Sequence, residues 1–89
     1  MRIWGKIMRN SKIIKDEVAE CSAYENYQEN LKACILEICN KLDISKPYWL
    51  PGNLEEYNKR SKTSFTEHNF MEEIDFDYFA IEELQEKNI

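Results

Sequence analysis

The sequence predicts an α+β fold: a three-stranded antiparallel sheet with its helices packed on one face. Three observations point to it. Residues 2–21 are rich in β-favouring types around a central Asn-Ser pair, residues 22–42 carry an apolar stripe at helical spacing, and residues 75–84 return to a strand-like run. A helix that is apolar on one side must lay that side on another element, and a small sheet with one dry face supplies the partner.

Arg2 to Cys21 reads as a β-hairpin. Ile3, Trp4, Ile7, Ile13, Ile14 and Val18 are of strand-favouring types, and Asn10-Ser11 supplies a two-residue turn. That loop predicts Ile7 opposite Ile14 and Ile3 opposite Val18, all on the side that meets the helix. The other side then carries Arg2, Trp4, Lys6, Met8, Ile13, Lys15 and Glu17, with Lys6 facing Lys15 in a mildly repulsive pair. A later helix or loop is expected to cover Trp4 and Met8. Left uncovered, they form with the lysines a mixed aromatic and cationic binding surface.

The main helix is predicted over 22–42. Tyr24, Tyr27, Leu31, Cys34, Ile35, Ile38 and Leu42 fall on one stripe, and Ser22 with Glu25 reads as a capping box at its start. Glu25, Glu29, Lys32, Glu37 and Lys41 lie on the outer face and suggest solvation, with no chemistry.

Residues 43–53 form a linker bounded by prolines. Pro47 and Pro51 push Lys46 and Leu50 out of helical conformation, so Tyr48-Trp49-Leu50 runs extended. Such a knot plugs the end of a core; a stacking platform beside Lys59, Arg60 and Lys62 is the competing role. Short helices are predicted over 54–72. Asn53 caps the first, which has Leu54 and Tyr57 inward, and Thr66 caps a turn running to Met71, with Phe65 and Phe70 at staple positions. Lys59, Arg60 and Lys62 suit the negative end of a helix dipole, and a phosphate contact is the rival reading. Asp75 to Leu84 is the third strand, and 85–89 a tail.

Composition narrows the function classes. Eighty-nine residues make one domain, and 43% hydrophobic residues suffice for one core. No apolar run approaches the ~20 residues needed to span a bilayer. Met1-Arg2-Ile3-Trp4-Gly5-Lys6 lacks the apolar region and cleavage site of a signal peptide, so a cytoplasmic protein with no membrane partner is expected. Cys21, Cys34 and Cys39 are odd in number, without disulfide or zinc spacing, and read as reduced structural thiols.

The net charge of −5 conceals two cationic stretches. Residues 1–15 hold five basic and no acidic residues, and residues 44–62 hold four basic against two acidic. The overall acidity argues against a general nucleic-acid binder and leaves a local basic face open. The candidate interaction residues are Trp4, Lys6, Lys15, Trp49, Lys59, Arg60 and Lys62. His68 stands alone, without partners for metal binding or catalysis. Glu72, Glu73, Asp75 and Asp77 have no calcium-loop spacing or glycine turn, and read as solvated edge charges. No catalytic, metal or cofactor residue is assigned.

Arg2-Ile3-Trp4-Gly5-Lys6-Ile7, Ile13-Ile14-Lys15-Asp16, Ser45-Lys46-Pro47-Tyr48-Trp49-Leu50, Phe65-Thr66 and Glu72-Glu73-Ile74-Asp75-Phe76-Asp77-Tyr78 resemble segments of a family of small uncharacterised bacterial proteins. The resemblance implies an intracellular bacterial protein of this size and brings no activity or functional residue with it. The residues themselves favour a small protein-binding or adaptor module, with a homodimer through a sheet edge as one form of it. The alternative is a nucleic-acid-binding regulator that uses the basic and aromatic residues. An enzyme has least support: the sequence offers no nucleophile–base pair, phosphate-binding glycine loop or metal-ligand spacing.

Overall fold

The computed structural model describes residues 1–84. Asn10 and Ser11 both take left-handed backbone conformations, with φ of 54° and 63°. The loop between β1 (Arg2–Arg9) and β2 (Lys12–Glu20) is therefore the type I′ turn that matches strand twist. Arg9 pairs with Lys12 and Met8 with Ile13, as a two-residue loop requires.

The register then shifts by one residue between Ile7 and Met8, a β-bulge that leaves Ile14 unopposed. Ile7 pairs with Lys15, Lys6 with Asp16, Trp4 with Val18, Ile3 with Ala19 and Arg2 with Glu20. This overturns the expected Ile7–Ile14, Ile3–Val18 and Lys6–Lys15 pairs. The bulge replaces a repulsive lysine pair by Lys6–Asp16 and sets Arg2 against Glu20, and opposite charges directly across an antiparallel pair stabilise it. It also turns Val18 to the face away from the helices and puts Ala19, small and buried, beneath the main helix.

The main helix, α1, spans Tyr27–Leu42 and starts five residues later than the stripe suggests. Asn26 takes the cap position, its Oδ1 accepting from the backbone N–H of Gln28 at 2.8 Å and of Glu29 at 3.4 Å. Ser22 and Tyr24 lie ahead of the helix, where Asn30 grips the Tyr24 backbone through its amide on both sides. Leu31, Cys34, Ile35, Ile38 and Leu42 are buried as the spacing predicts, Cys39 beside the stripe is buried with them, and Tyr24 and Tyr27, expected on the buried stripe, are exposed. Asp43, with φ 57°, ends the helix.

The next helix, α2, spans Pro51–Arg60 and starts three residues before the expected 54. Proline is pre-set for the first helical position and gives up no needed N–H there. Asn53 therefore sits inside the first turn, where its Oδ1 accepts the Leu50 N–H at 3.1 Å. Leu54, expected inward, is exposed, whereas Tyr57 is buried. Ser61 at φ 57° closes the helix. Lys62–Phe65 then forms a strand, β3, that the sequence reading had merged with the helix, and Glu67–Asn69 makes a single 3₁₀ turn. The last strand, β4, is Tyr78–Leu84, shorter than 75–84. The expected tail, 85–89, lies outside the described residues.

The sheet thus has four antiparallel strands, not three, in the order β2-β1-β4-β3. Both helices lie on one face, over Ile3, Ile7, Phe65, Phe79 and Ile81. Gly5 lets α1 come close: a Cβ there would stand 2.6 Å from Ile38 Cγ2 and 2.9 Å from Phe79 Cε1. Trp49 plugs the end of this core, its ring edge-on to Tyr57 at 5.6 Å and to Phe65 at 5.2 Å.

Candidate functional site: the uncovered face of the sheet

Side chains alternate across a strand, so the register fixes what the helix-free face displays. Four cross-strand rows run over it. Glu20, Arg2 and Leu84 form one end; Val18, Trp4, Glu82 and Lys62 form the second row; Asp16, Lys6, Ala80 and Ser64 form the third; Ile13, Met8 and Tyr78 form the last. No element among the described residues lies across these rows, because α1, α2 and the Trp49 segment all pack on the opposite side. The cover expected for Trp4 and Met8 is absent from the described residues.

The middle rows mix apolar and charged side chains, and Trp4 among them is held in place. The Trp4 indole N–H donates to an Asp16 carboxylate oxygen at 2.9 Å, and the Lys6 ammonium stands 4.2 Å from the centroid of the Trp4 ring. The ring is thus held at its edge by a hydrogen bond and over its face by a cation. Val18 and Ile13 are exposed at 37% and 48%. Ala80, the smallest residue in the middle rows, lines a depression of about 220 Å³ with Lys6, Lys62, Ser64, Tyr78 and Glu82, and Glu56 of α2 lines it from the β3 side. Each cation of this face has an acidic cross-strand neighbour, Glu20 for Arg2, Asp16 for Lys6 and Glu82 for Lys62, so the face carries mixed charge.

The residues singled out from sequence separate in space. Trp4, Lys6 and Lys62 share the uncovered face. Lys15 pairs with Ile7 and belongs to the helix side, near the sheet edge. Lys59 and Arg60 end α2, with the Lys59 Nζ 3.1 Å from a Glu55 carboxylate oxygen. Trp49 is partly buried against the core. Lys6 and Lys15 lie on opposite faces of the sheet and Lys59 on α2, so these three share no one face. No family model, curated protein or solved structure matches the chain.

Val18, Tyr78, Ala80 and Glu82 are face residues that the sequence reading did not select. Tyr78 and Ala80 carry an alternation signal along β4, but Val18 is placed by a bulge that no local pattern announces. Two polar knots also escaped notice. Asn53 and Asn69 are buried together: the Asn69 amide donates to Asn53 Oδ1 and to the Tyr48 carbonyl, both at 2.7 Å, and the Asn53 amide donates to Thr63 at 3.0 Å and to the Ser64 carbonyl at 2.8 Å. At the other end, Tyr57 donates to Tyr27 at 2.9 Å, because the Tyr27 proton is already committed to Glu83 at 2.6 Å. Burial, and then the Glu83 carboxylate, push the Tyr27 hydroxyl above its usual range. Both knots are structural, tying α2 to β3 and α1 to β4. Among the described residues no group of three or more His, Cys, Asp or Glu side chains is placed to hold a metal ion.

Proposed function

We propose that the chain is a small protein-binding module whose working surface is the uncovered face of its sheet. The observation that carries this reading is the set of apolar side chains, Val18 and Trp4 in one row and Ile13, Met8 and Tyr78 in the last, on a sheet face left bare by both helices. Trp and Tyr are the residue types that carry most binding energy in protein–protein contacts. The charges of both signs interleaved with them suit a partner segment with apolar side chains and its own mixed charges. A phosphate backbone would call for one sign, and on this face Arg2, Lys6 and Lys62 each have an acid across the ladder. A cytoplasmic, bacterial setting is part of the same proposal. It is supported by three free thiols and by the resemblance of the Arg2–Ile7 and Ser45–Leu50 segments, and no helix among the described residues is long and apolar enough to cross a membrane.

The test compares two single substitutions of the immobilised protein. Trp4→Lys removes the ring at the centre of the face, while Leu36→Lys alters the outer side of α1, where Leu36 is 50% exposed. A partner retained by the wild type is expected to be lost with Trp4→Lys and kept with Leu36→Lys. Equal retention by the two variants moves the contact off this face.

A further inference from the structure

We infer that the free edge of β2 pairs with β2 of a second copy of the chain, antiparallel about a two-fold axis at Asp16. The two edges of the sheet are β2 and β3. β3 has only four residues, and the Asn53 amide already occupies the Ser64 carbonyl. β2 has nine, and among the described residues its backbone from Ile13 to Val18 bonds only to β1. An unpaired edge of that length is a template for another strand.

The charges along it choose the partner. β2 reads Lys12-Ile13-Ile14-Lys15-Asp16-Glu17-Val18-Ala19-Glu20: basic in its first half, acidic in its second, apolar in matching places. Turning a second copy about Asp16 sets Lys15 against Glu17 twice and Ile14 against Val18 twice. Neighbouring registers do worse. Opposed residues of an antiparallel pair share a face, so the axis must pass through a residue. An axis at Lys15 opposes two lysines and sets Ile14 against Asp16; one at Glu17 opposes two glutamates and sets Val18 against Asp16. Of these the Asp16 register matches opposite charges twice and aliphatic with aliphatic twice.

Its one unfavourable pair is Asp16 with Asp16 on the axis. The Trp4 indole bond to that carboxylate, and Lys6 as its cross-strand neighbour, offset part of the repulsion. The bulge at Ile13–Ile14 bends the strand and limits the ladder to five rungs, Ile14 to Val18. A ladder that short makes a reversible dimer rather than a permanent one. Joined this way, two sheets become one of eight strands. Lys15 and Glu17 lie on the helix side of the sheet, so variants there probe this contact without touching the Trp4 surface, and the two readings can fail separately.

Sedimentation equilibrium of the full chain at low salt, run to about 1 mM, tests the inference through a charge exchange. Lys15→Glu and Glu17→Lys each place like charges across the axis twice, and each alone is expected to weaken self-association about tenfold. Mixing the two variants restores opposite charges in both pairs, and a heterodimer is expected at wild-type strength. Asp16→Asn, which keeps an acceptor for Trp4, is expected to tighten the dimer. Recovery on mixing also shows that both variants are folded. A wild-type chain that stays monomeric at the highest concentration, a dimer indifferent to Lys15→Glu, or a mixture that does not recover would each overturn the pairing.

Discussion

Ser11 sits in the left-handed region at φ 63°, where an L side chain is crowded and glycine is not. Asn10 beside it tolerates that region better, because its short amide can bond locally. Ser11→Gly should therefore raise stability by about 1 kcal/mol, read as a higher urea midpoint at unchanged slope. No change would mean that Ser11 is not strained in the folded chain. The same turn shows what single residues reveal: Asn10-Ser11 is recognisable as a hairpin turn from its residue types alone, and the structure places it there. The bulge two residues further on is not recognisable in this way. Ile13 and Ile14 look alike in sequence, and only the pairs further along the ladder decide which of them is left over.

At the scale of elements, α1 illustrates the reach of periodicity. Leu31, Cys34, Ile35, Ile38 and Leu42 are buried because residues three and four apart share a helix face, and no other element needs to be known to foresee it. The start of the helix was misread because Ser22 and Asn26 are both good caps, and the competition was settled by Asn30 folding back on Tyr24. β3 was missed for a different reason. Four residues give one full alternation, Thr63 and Phe65 in, Lys62 and Ser64 out, which is too little to rise above chance. Gly5 links β1 to α1 more tightly than any pattern suggests. Gly5→Ala forces its new methyl into Ile38 and Phe79, two side chains with no exposed surface to retreat toward, and is expected to cost about 2 kcal/mol of stability. Chemical denaturation measures it directly, and a neutral outcome would mean that α1 can lift from the sheet without penalty.

For the whole molecule, several weak acids are buried in their neutral forms, which makes the fold sensitive to alkali. Burial pushes the Cys39 thiol from its usual 9.0 up to about 11, and burial together with the neighbouring Cys21 thiol pushes Cys34 up to about 12. Burial, then the bond to Tyr27, raises Tyr57 above its usual 10.0. Below pH 9 the folded and unfolded chains both keep these protons, so stability does not respond to them. Above it the unfolded chain releases protons that the folded chain holds, and stability falls as pH rises through the folded-state values. The urea midpoint is therefore expected to be lower at pH 10.5 than at pH 8, and Cys39→Ser should shrink that drop even though it lowers the starting value. An equal drop with and without Cys39 would remove the thiol from the account.

From sequence alone came the class of the fold, the turn, the buried stripe of α1 and the core role of Trp49, because each rests on interactions within a few residues of chain or on the geometry of one element. The strand count, the register of β2 and the identity of the uncovered face came only with the tertiary structure. A one-residue slip sends every later side chain of a strand to the opposite face. Whether that slip occurs here depends on Asp16 and Glu20 finding Lys6 and Arg2 across the ladder, and on Ala19 being small enough to lie under α1. Those are balances between segments distant in sequence, which no local pattern records.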